Sequence, residues 1–157
     1  MKSVLFICHG NICRSPMAEF IFKDKVRKAG LEEVRIDSAA VSYEEEGNDI
    51  YPPAKRTLHG HGIPFGRHSA HRVTDAEASE YDVIIVMDAS NRRLLSRIIS
   101  PMNMSKVHLM MEYAGKDSDV SDPWYTGDFE KTYRDITEGC AGLLESLSQA
   151  KPISTVG

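Results

Sequence analysis

Cys8-His9-Gly10-Asn11-Ile12-Cys13-Arg14-Ser15 sets a thiol and a guanidinium six positions apart, with Gly10 and Asn11 between them. An ionised thiol is a strong nucleophile, and a guanidinium is a planar fork that can grip two oxygens of a phosphate. Together they could attack phosphorus in a bound phosphate group while holding its oxygens. Glycine and asparagine are the types that tolerate left-handed backbone, which a tight loop of converging amides needs.

The flanking residues indicate how such a loop is held. Val4-Leu5-Phe6-Ile7 is an apolar run that reads as a buried strand, and Pro16 is a favoured first helical residue with Ser15 as its N-cap. The eight residues are then a strand-to-helix turn whose backbone N–H groups form an anion cradle. The loop amides, Arg14 and the helix N-terminus all favour a thiolate at Cys8. A cation at a helix start opposes the helix dipole, so the placement of Arg14 is itself a sign of an anion beside it. The competing reading of Cys8 is a structural cysteine at a strand end, which the strand, Gly10-Asn11 and Ser15-Pro16 together disfavour.

The rest of the chain must supply the scaffold. Residues 2–7 read as strand one and 16–28 as a helix with Phe22, Val26 and Ala29 on one stripe and Gly30 as a stop. Strand two covers 34–38. A loop over 42–53 carries Glu44-Glu45-Glu46, and Pro52-Pro53 opens a short helix that ends near Gly60. Thr74-Asp75-Ala76-Glu77 is a capping box. Residues 83–87 are continuously apolar, as in a central parallel strand covered on both faces. A helix is expected over 89–99 with Leu94, Leu95, Ile98 and Ile99 inward, strand four over 106–111, and a long polar loop over 112–128. Phe129, Tyr133, Ile136, Cys140, Leu143 and Leu147 step by three and four, giving the last helix. Gly139 and Gly142 inside it imply close packing or a break. Residues 1–150 form one domain, and 151–157 read as a loose C-terminal tail. Alternating strands and helices give an α/β class, a three-layer α/β/α arrangement around a four-stranded parallel sheet. Ligands bind beyond the carboxyl ends of such strands, where loops 8–15 and 112–128 can meet.

Composition narrows the function. The chain of 157 residues suits one domain with a proper core. A net charge of −4 without a basic block argues against nucleic acid. No apolar run approaches the roughly 18 residues of a membrane helix. Met1-Lys2-Ser3 leads straight into a strand, which argues against a secretory leader. Three cysteines, an odd number, suit a reducing compartment and a cytoplasmic setting. His59 and His61 lack a nearby cysteine pair, so neither a metal nor a cofactor is expected. No Gly-Lys-Ser/Thr follows the loop, which rules out a nucleotide P-loop. Cys140, on the apolar stripe, reads as core.

The stretch CHGNICRSP resembles the signature loop of the low-molecular-weight protein tyrosine phosphatases. Asp37-Ser38-Ala39-Ala40, Gly62-Ile63-Pro64, His68, Met87-Asp88-Ala89-Ser90-Asn91 and Asp122-Pro123-Trp124-Tyr125 match landmarks of that family in order, so the resemblance covers about residues 2–148. It implies strand order 2-1-3-4. It also implies hydrolysis of phosphotyrosine and aryl phosphates through a phosphocysteine. Cys8 would be the nucleophile, Arg14 the phosphate clamp and Asp122 the general acid and base; on sequence alone Asp122-Pro123 reads as well as a turn. His9, Gly10, Asn11, Ile12, Cys13, Arg14 and Ser15 would form the phosphate-binding loop. Asn11, Ser15, Ser38 and His68 would brace it, and Ser15 would donate to the Cys8 sulfur. Cys13 would trap the oxidised nucleophile as a reversible disulfide.

A substrate pocket wall of His9, Tyr43, Glu44, Trp124 and Tyr125 is implied, with Glu44 standing where an aromatic is frequent and His9 where an apolar residue is. The expected partners are phosphotyrosine-containing proteins, with phosphate and other oxyanions as inhibitors, and the chain as a monomer or weak homo-oligomer. Three other readings remain. A phosphoarginine phosphatase of the same family would carry a small polar residue at Ile12 and lack paired aromatics after Asp-Pro. An arsenate reductase needs further cysteines to relay a disulfide, and none occurs between Cys13 and Cys140. A non-catalytic phosphate-binding module would not need Cys8, Arg14 and Asp122 together.

Overall fold

The structure is a computed structural model that describes residues 2–31 and 33–156, with side chains through Ser148. Four parallel strands form one sheet in the order β2-β1-β3-β4. They are β1 (Lys2–Cys8), β2 (Val34–Ala40), β3 (Val83–Val86) and β4 (Val107–Leu109). The central strands β1 and β3 carry the apolar runs because both of their faces are covered. Val4, Phe6 and Cys8 enter one core with Met17, Phe22 and Ile136. Leu5 and Ile7, one residue out of phase, enter the other with Ile84, Val86 and Leu95.

Helices α1 (Arg14–Lys28), α2 (Pro52–Gly60) and the long C-terminal helix cover the first face. Helices α3 (Asp75–Ala78) and α4 (Ala89–Leu95) cover the second, followed by α5 (Pro101–Met104). A short α6 (Pro123–Thr126) precedes α7 (Phe129–Val156).

The expected elements are present, with four corrections. Helix α1 starts at Arg14, and its N-cap residue is Cys13 with no side-chain cap, so Ser15 lies inside the helix rather than capping it. Its hydroxyl is engaged elsewhere, as described below. The expected helix 89–99 stops at Leu95. Arg97 and Ile98 donate three residues back, to Leu94 and Leu95, which tightens the turn while keeping Ile99 buried. Strand four is shorter than expected, because Met110–Ala114 winds into a 3-10 turn. That turn and α6 interrupt what reads from sequence as one polar loop.

The two glycines of α7 mark close packing without a break. A Cβ on Gly142 would lie 1.9 Å from the Tyr113 carbonyl oxygen, and one on Gly139 would lie 2.7 Å from Met110 Cε. The helix thereby presses its backbone onto the 3-10 turn. Its backbone continues to Val156, and the packing of the expected tail at 151–157 lies outside the described residues.

Candidate active site

Cys8 is the last residue of β1, paired with Ala40 across the sheet, and its side chain lies at the foot of a cleft of about 540 Å³. The cleft opens beyond the carboxyl ends of the strands, where an α/β sheet offers a site. The Asn11 amide donates to Cys8 Sγ at 3.2 Å, and Ser15 Oγ lies 3.0 Å from it. Ser15 Oγ accepts from Asn11 Nδ2 at 2.7 Å, which leaves its own hydrogen for the sulfur at 3.0 Å or the Ala39 carbonyl, farther off at 3.5 Å.

Asn11 holds the loop in shape. Its φ is 62°, the left-handed region, whereas Gly10 has no positive φ. Of the two residues expected to permit that backbone, only Asn11 uses it. Gly10 instead allows close approach, since a Cβ there would lie 3.2 Å from Glu45 Cγ. Every polar atom of Asn11 is engaged. Nδ2 also donates to Ser38 Oγ at 3.0 Å, the carbonyl accepts from His68 Nε2 at 2.6 Å, and Oδ1 accepts from the His71 amide at 3.3 Å. The carbonyl can only accept, so His68 carries its proton on Nε2. Ser38 passes its hydroxyl hydrogen to Glu19 Oε1 at 2.6 Å, and Lys23 pairs with Glu19 Oε2 at 2.6 Å. An unfavourable backbone conformation persists where its surroundings over-determine it, and five bonds do so here.

Arg14 is 3% exposed and points between two carboxylates. Nη1 donates to Asp88 Oδ2 at 2.9 Å and to the Val120 carbonyl at 3.1 Å, and Nη2 donates to Asp122 Oδ2 at 3.4 Å. Burial alone would lower its pKa. The facing charges of Cys8, Asp122 and Asp88 outweigh burial and raise it, so the guanidinium stays charged. Asp88 is fixed as the N-cap of α4, where Oδ1 accepts from the Asn91 amide at 2.7 Å. Asp122 is fixed as the N-cap of α6, where Oδ1 accepts from the Trp124 amide at 3.0 Å. Val120 donates to the Met87 carbonyl at 2.9 Å, which ties this segment to the end of β3. The amides of Gly10, Ile12 and Cys13 donate to no group among the described residues and are left for an anion.

The mouth of the cleft is lined by His9, Glu44, Glu45, Trp124 and Tyr125. His9 Nε2 meets Glu44 Oε2 at 3.0 Å. Tyr43 is absent from the lining: the Arg72 guanidinium sits 4.7 Å from its ring centre and donates to its hydroxyl at 3.0 Å, holding it elsewhere. Cys13 is buried and free. Burial first, then the nearby Cys8 and Asp122, push its thiol from 9.0 up to about 12. Cys140 is fully buried, and burial raises its thiol too. His61, instead of pairing with His59, stacks on Tyr133 at 3.8 Å and meets Glu130 at 2.7 Å.

Three participants were given no role from sequence, Asp88 being named only within the landmark at 87–91. Asp88 has the signal of a carboxylate at the end of a buried strand and the start of a helix. Glu19 is an acid inside the apolar run Met17-Ala18-Glu19-Phe20-Ile21-Phe22. Tyr51 donates its amide to the Ile12 carbonyl at 2.9 Å and places its ring 5.1 Å from Trp124, so it links the 8–15 loop to α6. Its neighbours Pro52-Pro53 give only a helix start, and nothing local announces that link.

A sequence model of the family described as low molecular weight phosphotyrosine protein phosphatase matches residues 3–152. The low molecular weight protein-tyrosine-phosphatase YfkJ of Bacillus subtilis is 40% identical over 157 residues, which span 98% of this chain and 100% of that protein. The crystal structure of YfkJ superposes with a TM-score of 0.90 at 41% identity, covering 96% of this chain and 97% of that one. The crystal structure of DARP, drosophila arginine phosphatase, superposes with a TM-score of 0.85 at 31% identity, covering 94% and 98%.

Proposed function

The chain belongs to the low molecular weight phosphotyrosine protein phosphatase family, and from that premise we propose the substrate it hydrolyses and the part each residue plays. It is a phosphoric monoester hydrolase acting on phosphotyrosine and other aryl phosphates. The amides of Gly10, Ile12 and Cys13 and the fork of Arg14 hold the phosphoryl oxygens. Arg14 turns Nη2 from its long 3.4 Å contact with Asp122 to the phosphate, releasing that carboxyl group. The Cys8 thiolate attacks phosphorus in line: the S–P bond forms as the P–O bond breaks. Asp122 gives its proton to the departing phenolate. It then takes a proton from a water molecule, whose oxygen attacks the phosphocysteine and frees inorganic phosphate and the thiolate. Asp88 keeps Arg14 aimed.

One observation carries this reading: a sulfur held by the Asn11 amide and Ser15 hydroxyl at the foot of a cleft, with the Arg14 guanidinium and Asp122 carboxylate converging on the same space. The test is phosphate release from matched phosphotyrosine, phosphoserine and phosphoarginine substrates in a chelating buffer. Release from phosphotyrosine, abolished in Cys8→Ser, is expected. The likeness to an arginine phosphatase favours a second reading, phosphoarginine. Apolar Ile12 and the aromatic Trp124 at the mouth weigh against it, and faster release from phosphoarginine would reverse that judgement.

Cys13 serves as a resolving thiol. Peroxide converts the Cys8 thiolate to a sulfenic acid, and Cys13 displaces its hydroxyl as water to form the Cys8–Cys13 disulfide, which added thiol reduces. Burial, the largest cause raising the Cys13 thiol, persists when Cys8 is a neutral sulfenic acid, so the Cys13 thiolate fraction still grows with pH through neutrality. Disulfide closure after a peroxide pulse therefore accelerates with rising pH, and a pH-independent rate would count against this role. The chain acts in the cytoplasm as a monomer or weak homo-oligomer, and phosphate and other oxyanions compete for the loop. No described helix is long and apolar enough to cross a membrane.

A further inference from the structure

The rim of the cleft holds charge for which the hydrolytic steps have no use. Ser42 Oγ donates to the His9 carbonyl at 2.9 Å, and His9 Nε2 meets Glu44 Oε2 at 3.0 Å, so the segment after β2 is fastened to the residue next to the nucleophile. The stem of Glu45 lies over Gly10, and its Oε1 accepts from Asn48 Nδ2 at 2.9 Å. Its carboxylate is near enough to Cys13 to contribute to raising that thiol. Glu46 is directed away: its Oε2 accepts the Arg72 amide at 3.1 Å, and it is absent from the cleft lining.

Two carboxylates, Glu44 and Glu45, thus stand at the entrance of a site built for a phosphate dianion. The deeper carboxylates, Asp88 and Asp122, both pair with the buried Arg14, whereas among the described lining residues the rim carboxylates have the His9 imidazole beside them and no lysine or arginine. A phosphate approaching past two like charges is repelled unless the substrate carries a cation next to it. We propose that the Glu44–Glu45 rim, held in place by His9, selects phosphotyrosine flanked in the peptide by lysine or arginine. The inference rests on the phosphotyrosine reading above. Glu44 is two-thirds exposed, so solvent screens the interaction and each flanking charge changes kcat/KM by about two- to fivefold.

The experiment compares three phosphotyrosine peptides, identical except for Lys, Ala or Glu on both sides of the phosphotyrosine, together with a small aryl phosphate. Rates of phosphate release are measured at low and high salt for the wild type, for Glu44→Gln/Glu45→Gln and for Glu44→Lys/Glu45→Lys. The order Lys, Ala, Glu is expected in the wild type, shrinking at high salt, collapsing in the glutamine variant and reversing in the lysine variant. The readout is a ratio within each protein, so a uniform change in rate does not disturb it, and turnover of the aryl phosphate verifies that each variant is folded. Equal rates on the three peptides with normal aryl phosphate turnover would overturn the rim and leave the phosphatase intact. Preference for Lys that survives the glutamine variant would do the same, by locating selection elsewhere. No turnover of any phosphotyrosine compound would overturn the function and the inference together.

Discussion

The floor and the rim of one cleft are built by opposite rules. On the floor, Asn11 and Ser15 are fully buried and Arg14 is nearly so; Asn11 and Ser15 are bonded into one set with Cys8, Ser38, Glu19 and His68, and Arg14 into a second with Asp88 and Asp122. At the rim, Trp124 is 57% and Tyr125 85% exposed, and the Glu44 carboxylate meets His9. A buried polar network tolerates no missing member, because each orphaned group bears its full desolvation penalty. An exposed rim can exchange residues at small energetic consequence. On the function proposed, the floor performs the chemistry on any phosphate that reaches it, and on the rim proposal Glu44 and Glu45 select which ones arrive.

Changes on the floor should strike all substrates alike. Arg14→Lys loses the two-pronged grip, and kcat is expected to fall about a thousandfold on every peptide, in line with losing a preorganised transition-state donor. Steady-state kinetics across the flanked peptides checks this, and a substrate-dependent loss would erase the distinction between floor and rim. Asp122→Asn removes the proton carrier and should cost about a hundredfold or more with phenyl phosphate. It should cost much less with a leaving group that needs no proton, so the ratio of the two rates isolates that role.

Asn11 separates backbone from side chain. Asn11→Gly keeps access to the left-handed φ and loses the amide, whereas Asn11→Ala loses both. Both should lower kcat by about tenfold to a hundredfold through misplacement of the sulfur, with Ala the worse and the less stable by thermal melting. Equal behaviour would mean that the backbone conformation contributes nothing.

The smallest effect concerns a support of the floor. His71 donates its amide to Asn11, and its ring is held by Glu77 at 2.7 Å, a hydrogen bond that raises the imidazole pKa above 6.5. A raised folded-state value means the stabilisation is full below 6.5 and fades as pH climbs through that higher value. Glu77→Gln should lower stability on the acid side and little on the alkaline side. The difference should stay below about 1 kcal/mol because the ring is partly exposed. Denaturant midpoints on the two sides of neutrality measure it.

What could be read without a structure was local. The unbroken apolar run Val4-Leu5-Phe6-Ile7 carries the two-faced burial of a central strand, and Gly10-Asn11 before Ser15-Pro16 carries the strand-to-helix turn, because backbone preference depends on neighbours a few residues away. The step of three and four from Phe129 to Leu147 carries α7, and its two glycines carry the close approach that Tyr113 and Met110 provide.

What the sequence left open was decided by competition and distance. Ser15 could cap a helix or serve the sulfur, and the packed Asn11 side chain directed it to the sulfur. Tyr43 could face the cleft or Arg72, and a cation over its ring settled the direction. Arg14 finds Asp88 across 74 residues and Asp122 across 108. By itself, then, the sequence determined the elements, the turn that holds the nucleophile and the type of anion it suits. Only the tertiary structure decided which carboxylates meet Arg14, which residues brace Asn11 and which charges stand at the mouth. The period of a chain fixes which face of an element is buried, while the partner met there depends on the order in which the sheet sets its strand ends side by side.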